Sequence, residues 1–87
     1  MPNMPTLQQV TSIVDKVRKR LADAERDGIY LKVVRDSLDD DGWLSVVVVP
    51  TRPGGHASDH ARLMSQIERE LRAQGDEKVL LVPALED

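Results

Sequence analysis

The sequence predicts a two-layer α+β domain of order αββαβ, a sandwich with two helices on one face of a three-stranded mixed sheet. Three observations carry that expectation. Apolar residues recur at helical spacing in two separate segments. Three short runs rich in β-branched and aliphatic residues lie outside them. Clusters of glycine, proline and aspartate mark the boundaries.

Residues 1–5, "MPNMP", read as a disordered tail, and residues 6–87 as a single domain. Thr6 opens the first helix. "TLQQ" has the form of a capping box, in which the threonine hydroxyl accepts the amide of Gln9 and the Gln9 side chain reaches back. Leu7, Val10, Ile13, Val14, Val17, Leu21 and Ala24 then make one apolar stripe. Gly28 stands just past the end, where a left-handed residue terminates a helix.

"IYLKVVRDS" follows as the first strand, and "LDDDG" as a hairpin turn in which Asp41-Gly42 would supply the positive φ angles of a primed turn. "WLSVVVVP" returns as the second strand. Its four successive valines predict a strand covered on both sides or central in the sheet, and Pro50 ends it. Ser58 is the expected N-cap of the second helix. Its stripe is Leu63, Met64, Ile67 and Leu71, with His60 one turn earlier on the same face. Gly75 closes that helix. "KVLLVPA" is the third strand, and Pro83 either marks it as an edge strand or stops it at Val82.

At 87 residues the chain holds one modest core, built from Val, Leu and Ile because it has no phenylalanine, one tryptophan and one tyrosine. It contains no cysteine, so no disulfide or thiolate-bound metal supplements that core. Lack of cysteine fits a reducing compartment. The start of the chain has no apolar run of leader type, and no stretch approaches membrane-spanning length. A cytoplasmic protein with no membrane partner is therefore expected. The net charge of −3 argues against binding a phosphate backbone. Lys16, Arg18, Lys19 and Arg20 form the sole basic cluster, but they spread around the helix among Asp15, Asp23, Glu25 and Asp27. With so few aromatic rings for base stacking, nucleic acid is not an expected partner.

A two-layer domain leaves one sheet face uncovered. In the second strand Leu44, Val46 and Val48 alternate with Trp43, Ser45, Val47 and Val49, so both faces are largely apolar. If the helices cover the first set, the second set faces water, and contiguous exposed apolar patches tend to be interfaces. The leading functional expectation is a small non-enzymatic interaction or accessory domain. It would self-associate as a homodimer or dock a protein partner through Trp43, Ser45, Val47 and Val49.

The competing site is "TRPGGHASDHAR", residues 51–62. A small anion could be held by Arg52, Gly54, Gly55, His56, Asp59 and Arg62 at the start of the second helix. Asp59 opposes that reading, because it already complements the helix dipole. A metal ion could be held by His56, Asp59 and His60, provided the loop converges side chains that a helix cap would separate. The loop lacks the GxxxxGK[ST] and GxGxxG patterns, and no catalytic set stands out, so neither enzyme activity nor a cofactor is expected. Asp39, Asp40 and Asp41 lack the alternating ligands and closing glutamate of a calcium loop and read as a solvated hairpin tip.

The αββαβ order resembles two families. One is the KH-like group of nucleic-acid-binding domains, whose GxxG loop enters a helix. Here Gly54-Gly55 is followed by His56-Ala57, so that loop is not reproduced. The other is the C-terminal domain of NifU-type iron-sulfur scaffolds, which carries a CxxC segment between second strand and second helix. "PGGHASDHARL" is similar in position and paired glycines, but Pro53 and His56 stand roughly where the cysteines would be, so cluster carriage does not transfer. The first resemblance leaves a KH-like nucleic-acid binder as a third reading. Topology alone hosts many functions.

Overall fold

A computed structural model describes residues 6–84, so the tail expected at residues 1–5 lies outside the described residues. The elements are α1 (Leu7–Ala24) with a 3-10 turn over Glu25–Asp27, β1 (Leu31–Leu38), β2 (Leu44–Pro50), α2 (Ala57–Ala73) and β3 (Val79–Pro83). The strands lie in the order β1-β2-β3, with β1 antiparallel and β3 parallel to β2. This is the α+β sandwich expected, with the valine-rich strand at its centre.

Local chemistry explains each boundary. The Thr6 hydroxyl accepts the Gln9 amide at 3.1 Å, and the Gln9 side chain accepts the Thr6 amide at 2.7 Å, completing the capping box. Both helical segments end in the same motif. Gly28 N–H donates to Glu25 and Ile29 N–H to Ala24, while Gly75 N–H donates to Arg72 and Asp76 N–H to Leu71. The stripe of α1 buries Ile13, Val14, Val17, Leu21 and Ala24, but Leu7 is 84% exposed. Its place in the stripe is corrected: the first turn of α1 runs past the core.

Two turn assignments also differ. No non-glycine residue among those described has a positive φ, so Asp41 does not build a primed turn. Within the hairpin, Gly42 alone is left-handed, at φ 84°. Asp39 N–H donates to the Trp43 carbonyl, closing a three-residue loop over residues 40–42, which combines a tight turn with one left-handed position. The Asp39 carboxylate accepts the Asp41 and Trp43 amides, both at 2.9 Å, which favours this loop over the two-residue form. The N-cap of α2 is His56, not Ser58; its φ of −90° and ψ of 131° are extended, and its carbonyl accepts the amides of Asp59 and His60. His56 makes no side-chain cap bond. The preceding Pro53-Gly54 turn aims the chain into the helix before a capping hydroxyl is reached, and Ser58 falls inside the first turn.

The core lies between the sheet and both helices. Leu44, Val46 and Val48 from β2 meet Val17 and Leu21 of α1 and Ile67 and Leu71 of α2 within it. Leu31, Val79 and Leu81 complete its floor from the flanking strands. Across the top, the Arg20 guanidinium grips the Glu70 carboxylate with two hydrogen bonds, at 2.8 and 3.1 Å, and Lys16 reaches Asp76 at 3.1 Å. The hydrogen bond to Glu70 raises the Arg20 pKa, against a smaller opposing effect of burial. With Glu70 ionised, its share of stability is therefore fully present below the ordinary arginine range and is lost as the pH rises through the raised one. Both side chains remain about one-third exposed, so solvent weakens the pair. Glu70→Gln should cost under about 1 kcal/mol in urea unfolding.

The β1–β2 ladder carries one irregularity. Val33 pairs with Val48 and Arg35 with Val47, so Val34 is an extra residue, a β-bulge. Past it the alternation shifts by one, and Asp36 comes opposite Val46 on the helix side of the sheet. A bulge and an exposed charge on an edge strand are devices that blunt a sheet edge against pairing with another chain.

Candidate functional site

The open face of the sheet is set by this register. Paired residues share a face, so Lys32 with Val49, Arg35 with Val47, and Ser37 with Ser45 all lie opposite the helices. On the other flank Ser45 pairs with Leu80 and Val47 with Val82. Val47 is buried, yet it stands outside the cluster formed between sheet and helices, which places it at the centre of the second face. Around it Val34 is 48%, Leu80 44% and Val82 37% exposed, while Trp43, Ser45 and Val49 are half-buried.

Of the residues read from the sequence, Trp43, Ser45, Val47 and Val49 thus come together as one surface. Leu80, Val82 and Val34 were missed. For Leu80 and Val82 a signal was present, since "VLLV" alternates against the core positions Val79 and Leu81. For Val34 the signal was alternation with Lys32, two residues earlier on the same face; what had no mark in the sequence is the bulge, which moves the residues beyond it.

The 51–62 loop is built from turn chemistry. Pro53 followed by Gly54 at φ 91° is the residue order of a turn that needs a left-handed third position. Gly55 is constrained differently: a Cβ there would lie 2.6 Å from His60 Nε2, so the bare backbone is what lets the imidazole fold against the loop. Arg52 lies over the Tyr30 ring, 4.0 Å from its centroid, a cation–π contact that engages the guanidinium. Thr51 N–H donates to the Tyr30 carbonyl at 2.9 Å, tying the loop to the start of β1.

The proposed ligand residues do not converge. Arg52, Gly54, Gly55 and His60 line a shallow groove beside Pro50 and Ala84, whereas Asp59 and Arg62 line a different one with Arg20 and Asp27 of the first helical segment. His56 is exposed. Among the described residues no three His, Cys, Asp or Glu side chains are grouped to hold a metal ion, His56, Asp59 and His60 included. Asp39, Asp40 and Asp41 occupy the exposed hairpin tip, with Lys78 Nζ donating to the Asp41 carbonyl at 3.0 Å.

The basic cluster of α1 is divided. Lys16 and Arg20 turn to carboxylates of the α2 side, while Arg18 and Lys19 are exposed. Among the described residues no helix is long and apolar enough to cross a membrane. No family model, characterised protein or solved structure matches the chain.

Proposed function

We propose that this chain is a non-enzymatic interaction domain that docks protein through the uncovered face of its sheet, and that a second copy of itself is the first occupant. The observation behind this reading is the centre of that face. Val47 is withdrawn from water without belonging to the helix-side core, and Leu80, Val82 and Val34 extend the apolar surface around it. Burial of that area is favourable at about 25 cal/mol per Å².

The size of the face sets the strength of the interaction. Three strands about 4.8 Å apart, with a central strand of seven residues, span about 14 by 24 Å. That is small beside the roughly 800 Å² per partner of a standard stable interface, so the association is weak and concentration-dependent. A cytoplasmic location belongs to the same reading, supported by the cysteine-free composition.

The test is sedimentation velocity over a range of concentrations, comparing the parent chain with the double variant Leu80→Lys, Val82→Lys. Both side chains are exposed, so the variant should keep the parent's thermal midpoint within a few degrees. The parent is expected to dimerise and the variant to remain a monomer. A parent that stays monomeric up to about 1 mM, or a variant that dimerises equally, overturns self-association through this face.

A further inference from the structure

We infer that Glu68 is an edge guard: its carboxylate closes the outer rim of β3 and stops that strand from pairing with the β3 of a second copy. The strand invites such pairing. "VLLV" is a run of uncharged aliphatic residues, the composition of self-pairing segments. As the last strand in the order β1-β2-β3, it has one side without a neighbouring strand among the described residues.

The ladder shows which backbone groups that side offers. Leu44 N–H donates to the Lys78 carbonyl and Ala84 N–H to the Val48 carbonyl, so the even-numbered positions turn their backbone toward β2. The odd-numbered positions, Val79, Leu81 and Pro83, turn theirs outward. Pro83 has no N–H. Two donors remain on the rim, and the central one, Leu81 N–H, donates to Glu68 Oε2 at 3.2 Å.

Glu68 is well placed for this. It sits on α2 next to Ile67, which is 1% exposed and anchors that turn of the helix in the core, so the carboxylate is delivered from a fixed element. An incoming strand needs Leu81 N–H for its own carbonyl. It would have to displace a charged acceptor and bring a further chain up against the carboxylate. One strand edge is thus shielded by a side chain, while the other carries the bulge at Val34.

The experiment uses Glu68→Gln, Glu68→Asp and Glu68→Ala in the full chain, reading Leu81 amide hydrogen exchange and sedimentation together. Glutamine keeps an acceptor at the same reach without the charge; aspartate keeps the charge but falls one methylene short. In dilute solution Leu81 should exchange about tenfold faster or more in the aspartate and alanine variants, and at the parent rate in glutamine. At high concentration the first two should associate beyond the parent, with protection returning at Leu81. Association unchanged in both, or a Leu81 exchange rate that ignores position 68, overturns the assignment. Should the alanine variant fail to fold, the aspartate–glutamine comparison still decides. The readout is also independent of the open face, since Leu80→Lys, Val82→Lys leaves the outward N–H of Leu81 in place.

Discussion

Leu44→Ala is expected to lower the unfolding free energy by about 2–5 kcal/mol, a large part of the stability of a domain this size. Leu44 is 1% exposed and is the first residue of β2, where the central strand leaves the hairpin. It pairs with Leu38 of β1 on one side and Val79 of β3 on the other and belongs to the cluster shared with both helices, so its neighbours cannot all close on a smaller group. In a core with no phenylalanine to reposition, truncation leaves a cavity. Urea unfolding should show the loss as a lower midpoint with an unchanged slope. A cost below about 1 kcal/mol would mean that the hairpin end of the core is looser than its burial indicates.

The second large effect concerns two neighbours with opposite fates. Val46→Lys should abolish folding, because Val46 is 0% exposed inside the apolar cluster, and its cross-strand neighbour Asp36 is itself exposed, so an ammonium group could meet that carboxylate only by leaving the core. Val47→Lys should fold with a modest loss. Val47 is 9% exposed, but it looks out of the open face, and a lysine there can run its stem along Val82 and lift its charge into water. Circular dichroism and thermal melts of the two variants distinguish the outcomes directly. If both unfold, the second face of β2 is core in the same sense as the first, and a docking surface there is excluded.

The architecture was readable because hydrophobic period and punctuation agree along this chain. Helical stripes, a capping box at Thr6, glycines at positions 28 and 75, and a four-valine strand all point to one topology. What escaped was geometry that depends on neighbours. The bulge at Val34 arises from how β1 meets β2, and nothing in "KVVRD" distinguishes an extra residue from a regular one. Asp41-Gly42 looks like a primed turn until the Asp39 carboxylate gathers the two amides beyond it. Ser58 looks like a cap, but the chain has already entered the helix at His56. For the 51–62 loop, sequence proximity suggested one cluster, and the start of α2 divides it between two grooves. The open face was half legible: its β2 residues followed from alternation, while Leu80 and Val82 needed the parallel pairing of β3 to place them beside Val47.

That mixed pairing also orders the folding of the chain in time. β1 and β2 meet through a three-residue loop, a closure that takes microseconds. β3 joins β2 only after the chain has travelled through all of α2 and returned, so its contacts carry the larger loop-closure cost and form late. During synthesis β3 also leaves the ribosome after both strands of the hairpin. Until it docks, the most valine-rich strand of the protein has a bare flank. The interval between hairpin closure and β3 docking is therefore when a nascent chain is most exposed to mispairing with another copy.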